Sequence, residues 1–102
     1  MPSLTFSPTA LRDLDRVRAF LRNKNRAAAL RALQKILTSL KNLEDNPAMG
    51  RQVEDRSDEY RELVIPFGRD GYIAAYRYNA EVLMVLGVWH QREDRERPVV
   101  DG

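Results

Sequence analysis

The chain has 102 residues, 43% of them apolar and 31% charged, with no cysteine, one histidine and a net charge of +2. That is about one domain's worth, large enough for a single core. Without thiols there are no disulfides, thiol nucleophiles or thiolate-bound zinc or iron–sulfur centres; one histidine cannot supply a two-histidine metal site; and no apolar run approaches the ~18 residues of a membrane span.

Ser3-Leu4-Thr5-Phe6 can form a short strand. Ser7-Pro8 then reads as an N-cap followed by proline at the first helical position. Leu11, Leu14, Val17 and Leu21, flanked by Ala10 and Phe20, recur at spacings of three and four, which predicts an amphipathic helix over 8–22. Asn23-Lys24-Asn25 interrupts it, with Asn25 placed to cap a second helix over 26–44. Leu30, Leu33, Leu37 and Leu40 form the expected core stripe of that helix, widened by Ile36 and Leu43, while Ala27, Ala28, Ala29 and Ala32 supply helix propensity. So short a link makes the helices an antiparallel hairpin, and Asn46-Pro47 ends it.

A polar connector then runs from Met49-Gly50-Arg51 to Glu59. From Tyr60 the apolar period becomes two, which predicts strands over 60–67, 72–78 and 82–90. Gly68-Arg69-Asp70-Gly71 and Asn79-Ala80-Glu81 form the turns between them. The third of these strands is the most apolar and should lie inside the sheet. Residues 91–102 are charged, contain Pro98 and read as a loose tail. The order β-α-α-β-β-β predicts a single-domain α+β fold over 1–102. Its helical hairpin should pack on one face of an antiparallel sheet, leaving the other face partly open for a site.

The small net charge hides a division. Residues 1–43 carry nine Lys/Arg and two Asp, giving +7, and residues 44–102 carry eight Arg and thirteen Asp/Glu, giving −5. Fourteen of the seventeen cations are arginine, which grips carboxylates and phosphates bidentately. Arg12, Arg16, Arg26, Arg31 and Lys35 make the outer surface of the hairpin basic, suited to an acidic partner or simply to solvation. The N-terminal stretch has no basic segment followed by an apolar one, so it does not read as a signal peptide, and the expected compartment is cytoplasmic.

Several residues of the C-terminal half could carry chemistry. His90 and Arg92 point the same way if the strand continues, so they could handle protons and anions together or serve as a chain-bonded histidine and a surface ion pair. Arg61 could contact an anion or clamp the acidic connector. Arg77 lies on the opposite face from Tyr76 and Tyr78 and could meet a partner or pair across strands. Trp89 and the strand tyrosines are stacking platforms or sheet packing.

Tyr60-Arg61-Glu62-Leu63, Phe67-Gly68 with Gly71-Tyr72, Tyr76-Arg77-Tyr78 and His90-Gln91-Arg92-Glu93-Asp94 together resemble the RelE/ParE superfamily of bacterial toxins. The hairpin followed by Pro47-Ala48-Met49-Gly50-Arg51 resembles its ParE, or plasmid-stabilisation, branch, and the resemblance spans residues 3–95. It implies the toxin of a type II toxin–antitoxin module, in a hetero-oligomer with an antitoxin whose acidic, amphipathic C-terminal segment wraps it. No cofactor, metal or membrane is implied. RelE-like members cleave messenger RNA on the ribosome; ParE-like members poison DNA gyrase without being enzymes.

A RelE-like site would place catalytic roles on Arg61, Arg92 and His90. Here, however, Leu63 and Ile73 stand where that pattern has cations, and no Tyr or Phe follows Trp89. Phosphodiester attack needs proton transfer as well as charge stabilisation, and two arginines with one histidine form a thin set for it. The expectation is therefore a gyrase-directed toxin, with ribosome-dependent cleavage and a non-toxic interaction module as alternatives. Arg77, Arg12, Arg16, Arg31 and Trp89 are the candidates for contact with target or antitoxin.

Overall fold

A computed structural model describes residues 1–98; residues 99–102 and the side chains of Leu21, Arg22 and Lys24 lie outside the described residues. The elements are β1 (Ser3–Phe6), α1 (Pro8–Lys24), α2 (Arg26–Asn42), β2 (Arg51–Gln52), β3 (Tyr60–Ile65), β4 (Tyr72–Tyr78) and β5 (Val82–His90). Ser7 caps α1, its Oγ accepting from the Ala10 N–H at 3.1 Å. The Asn25 side chain accepts from the Ala28 N–H at 3.1 Å, so a single residue joins the two helices. α2 closes early: the N–H groups of Leu43 and Glu44 turn back three residues, to Leu40 and Lys41. β3 stops at Ile65, before Pro66, which has no N–H to donate.

The five strands form one sheet in the order β1-β5-β4-β3-β2. β2 is a short edge strand within the expected connector, with Arg51 opposite Glu62 and Gln52 opposite Arg61. It adds one reversal to the chain path. β5 therefore runs parallel to β1, with Ser3 opposite Val82 and Phe6 opposite Val85, where an all-antiparallel meander was expected. A bulge in β5 sets Gly87 opposite Ala75 but Val85 opposite Tyr76, leaving Leu86 as the extra residue.

The hairpin covers one face of the sheet. Ala10, Val17, Ala32, Ile36, Leu40 and Leu43 pack there against Leu63, Ile65, Tyr72, Ala74, Tyr76, Leu83, Val85 and Val88. The buried stripe of α2 is Ala29, Ala32, Ile36 and Leu40, with alanines nearest the sheet. Leu30 and Leu37, expected in the core, are 57% and 46% exposed, and Leu11 of α1 is 52% exposed. In α1 a carboxylate, Asp13, occupies the buried stripe between Ala10 and Val17.

The second face of the sheet is not open. Tyr60, Ala75, Leu86 and Trp89 form a second cluster there, with Val53, Ile73 and Met84 packed against it. Residues 91–98, expected to be loose, cross it: Arg95 lies over the Trp89 ring at 5.1 Å and ion-pairs with Asp13 at 3.0 Å. Arg97 pairs with Glu62 at 2.5 Å, and the Arg56 guanidinium donates to the Pro98 carbonyl at 2.8 Å. Side chains far away in sequence hold this segment, which is why its local composition suggested a free end.

Candidate functional site

The residues singled out from sequence fall in three separate places. A groove of about 590 Å³ opens at the C-terminal end of β5, between α1 and the β3–β4 turn. Val17, Phe20, Phe67 and Tyr72 supply its apolar lining, Arg16, Arg69 and Arg92 its cationic groups, and His90 its imidazole. The His90 ring stands edge-on to Tyr72 with centroids 5.4 Å apart, and its Nδ1 accepts the Arg92 N–H at 3.2 Å. Arg92 pairs with Asp70 at 2.9 Å, and Arg16 with Glu93 at 3.0 Å. His90 and Arg92 thus do meet, but each is already bonded, and Arg69, which joins them, was not singled out beforehand. Its position in a two-glycine turn beside the strand ends was the available signal.

Arg61 lies elsewhere. It pairs with Tyr76 in the β3–β4 ladder, whereas His90 pairs with Tyr72 in the β4–β5 ladder. That places them four residues apart along β4, about 13 Å, and two strands apart, about 10 Å. The Arg61 Nη1 donates to the carbonyls of Gly50 at 2.7 Å and Ala48 at 3.3 Å. Its Nε finds no partner among the described residues. Arg61 is a clamp on the connector backbone, not on its acidic side chains. The same loop is tied by Tyr76, whose buried hydroxyl donates to the Pro47 carbonyl at 2.6 Å and accepts from the Gly50 N–H at 2.8 Å.

The remaining candidates face outward or lie under the tail. Arg77 sits opposite Tyr60 and Met84 on the second face and lines a cleft of about 320 Å³ with Ser7, Thr9, Met84, Leu86, Arg95 and Pro98. Arg12 donates to the Thr9 hydroxyl at 3.1 Å, and Arg31 is exposed. Trp89 is only 5% exposed, so Arg95 must lift before it can touch a partner.

Sequence reading missed the polar network under the tail. Glu62, fully buried, accepts from Tyr60 at 2.6 Å and pairs with Arg97 and with Arg51, the latter at 3.6 Å. Burial alone would raise its carboxyl. The hydrogen bonds from Arg97 and Tyr60, with the charges of Arg97 and Arg51, outweigh burial and hold it below the ordinary range. Burial and the Glu62 carboxylate together push the Tyr60 phenol well above its usual value. Asp13 accepts from the Val88 N–H at 2.9 Å and pairs with Arg95 and Arg16. The available signal was a carboxylate placed at a position of apolar periodicity.

Among the described residues there is no group of three or more His, Asp or Glu that could hold a metal ion, and no helix long and apolar enough to cross a membrane. The groove can bind an apolar side chain beside an anion. The second face carries the buried Glu62 carboxylate and the rings of Tyr60 and Trp89 under the strap formed by residues 91–98, whose Arg95 and Arg97 supply its ion pairs.

Comparison with known proteins agrees with this architecture. The family model for the ParE toxin of the type II toxin–antitoxin system parDE matches residues 4–95. The chain is 34% identical over 95 residues to Toxin RelE3 of Caulobacter vibrioides, covering 93% of this chain and 100% of that protein. It is 33% identical over 89 residues to Toxin RelE1 of the same organism, covering 87% and 92%. A solved structure titled "Chromosomal ParDE TA system from P. aeruginosa" superposes with a TM-score of 0.73 at 26% identity, over 88% of this chain and 96% of that one. The match spans both helices and the whole sheet, and the chain belongs to the ParE toxin family of type II toxin–antitoxin systems.

Proposed function

We propose that this chain arrests growth by binding DNA gyrase and trapping it on cleaved DNA, acting in the cytoplasm and held in check by a cognate antitoxin. The observation that supports this reading is the separation of Arg61 from His90 and Arg92. Nuclease chemistry needs charge stabilisation and proton transfer at one phosphate. Arg61 is bound to backbone carbonyls and the other two lie at the far end of the sheet. A toxin that works by binding needs no such convergence.

The antitoxin reading draws on the hairpin. Leu11, Leu30 and Leu37 are half-exposed on helices that also carry Arg12, Arg16, Arg26, Arg31 and Lys35. An acidic, amphipathic segment would cover the leucines and relieve repulsion among the cations, each like-charge pair costing a few tenths of a kcal/mol.

The alternative, ribosome-dependent messenger RNA cleavage, draws on the RelE names of two relatives and on the groove that brings His90 together with Arg16, Arg69 and Arg92. Purified toxin separates the two. Loss of gyrase supercoiling with accumulation of cleaved DNA complexes is expected; unaffected gyrase together with cut messages on ribosomes would replace this proposal with the alternative.

A further inference from the structure

Four arginines around the second sheet face are engaged. Arg51 and Arg97 pair with Glu62, Arg95 pairs with Asp13, and Arg56 donates to the Pro98 carbonyl. Arg77 differs. It is partly buried on β4, opposite Tyr60 and Met84, and has no hydrogen bond or ion pair among the described residues. A cation held in a cleft gives up part of its hydration, and here no protein group replaces it.

The chain path makes the cleft that Arg77 lines. The bulge in β5 leaves Leu86 as the extra residue, and Leu86 forms one of the walls. The Leu86 carbonyl accepts from the Ser7 hydroxyl at 3.2 Å, and the Val85 carbonyl from the Ser7 N–H at 3.0 Å, which seats the start of α1 beside the sheet. Met84, Leu86 and Pro98 are the apolar walls, Arg77, Arg95, Ser7 and Thr9 bring the polar groups, and no carboxylate is among the lining residues. The Ser7 hydroxyl is used up, donating to Leu86 and accepting from the Ala10 N–H. Thr9 Oγ1 accepts from Arg12 at 3.1 Å and keeps its own proton to donate. Arg95 spends Nη1 on Asp13 at 3.0 Å, which leaves the hydrogens of Nη2.

The charge around this cleft is positive. Arg16 and Arg95 share Asp13 and Glu93 between them, two cations on two carboxylates. Arg77 has no counter-charge, and neither has Arg12, bound to the Thr9 hydroxyl at the rim. Three donor groups line one cleft. A carboxylate offers two oxygens and one charge to them; a phosphate monoester offers three terminal oxygens and up to two charges.

We propose that this cleft binds a terminal phosphate monoester on a compact body, of which a nucleoside monophosphate is the simplest form. Arg77 grips the phosphate with two parallel N–H donors, and Arg95 and the Thr9 hydroxyl complete its shell. Met84, Leu86 and Pro98 cover the apolar part of the ligand. The volume of about 320 Å³ is at the lower end of small-molecule sites, which run from about 300 Å³ upward. Residues 91–98 stay in place, since Arg95 and Pro98 are walls of the site. The site does not depend on what the chain does to gyrase or to ribosomes.

The test titrates the full, unmodified chain with adenosine monophosphate, inorganic phosphate and acetate at constant ionic strength, read by calorimetry and by backbone amide NMR shifts. Adenosine monophosphate should bind one to one, inorganic phosphate should compete with it, and acetate should bind at least tenfold more weakly than phosphate. The amide shifts should cluster at Thr9, Arg77, Met84 and Leu86. Arg77→Gln removes no contact within the chain, should stay folded by circular dichroism, and should weaken binding at least tenfold. Thr9→Val should weaken it about threefold. Arg18→Gln removes the same charge from the hairpin, where Arg18 pairs with Asp15 at 3.6 Å, and should leave affinity within twofold. Absence of saturable binding, equal losses in Arg77→Gln and Arg18→Gln, or acetate binding as tightly as phosphate overturns the proposal. Shifts centred on Arg16, Arg69 and Arg92 would move the anion to the other groove and also overturn it. An unphosphorylated oligonucleotide that binds the cleft more tightly than adenosine monophosphate would assign it to a nucleic-acid backbone and overturn the monoester. Should Arg77→Gln not fold, the amide map of the unmodified chain and the Thr9→Val affinity decide in the same way.

Discussion

Tyr76→Phe isolates a single hydroxyl that joins the sheet to the loop after the hairpin. That hydroxyl is buried, donates to the Pro47 carbonyl at 2.6 Å and accepts from the buried Gly50 N–H at 2.8 Å. Removing it abolishes two hydrogen bonds, each worth about 0.5–1.5 kcal/mol net, and strands a donor whose desolvation costs about 1–3 kcal/mol. The Pro47 side of the loop reaches solvent, so its carbonyl recovers a water partner, and the expected loss is about 2–3 kcal/mol. For a chain of this size that lowers Tm by roughly 10–15 °C. Tyr78→Phe is the control: its ring packs 6.2 Å from that of Tyr76, and its stability should stay within about 0.5 kcal/mol. Urea unfolding followed by circular dichroism and Trp89 fluorescence measures both. A Tyr76→Phe loss below about 0.5 kcal/mol would refute the claim that this hydroxyl anchors the loop.

Gly71 has φ +113°, and a Cβ there would stand 2.3 Å from the Ile65 carbonyl, so Gly71→Ala should cost about 2–4 kcal/mol in urea unfolding. Gly68→Ala, at φ +61° with open space around it, should cost only about 1–2 kcal/mol. Leu30→Glu and Leu37→Glu should change stability by no more than about 0.5 kcal/mol yet weaken co-purification with antitoxin, whereas the buried Ile36→Ala should lose about 2–5 kcal/mol. The depressed Glu62 carboxyl contributes stability that is present above its unfolded value of 4.5 and is lost as pH falls through its lower folded value. Urea midpoints should therefore drop below about pH 4.5, with a smaller drop in Glu62→Gln. Identical pH profiles for the two proteins would contradict that assignment.

The legible parts of the fold were those set by local pattern and caps: Ser7 and Asn25 at the helix starts, the single hairpin, and the alternating strands from Tyr60 onward. Two overlapping stripes on α2 differ by one residue, and apolar spacing alone does not choose between them. The alanine-containing stripe won because small residues let the helix approach the sheet, leaving Leu30 and Leu37 outside. β2 was missed because two polar residues at an edge carry no periodicity. The strap was illegible because Arg95 and Arg97 find partners 82 and 35 residues away. Of the candidate site, His90 and Arg92 line one groove, but the strand whose alternation their spacing invoked ends at His90, and a turn closed by the Glu93 N–H on the His90 carbonyl carries Arg92 there instead. The placement of Arg61 against carbonyls was not legible, since only the register of β2 and β3 brings Gly50 to it.

Controlled expression of the chain alone in a bacterial host, with DNA damage and translation followed in parallel, tests the gyrase reading most directly. Growth arrest with an early DNA-damage response and filamentation while protein synthesis continues is the result predicted. Immediate loss of translation with cut messages, before any DNA damage, would contradict it and make His90, Arg92 and Arg69 the first residues to mutate.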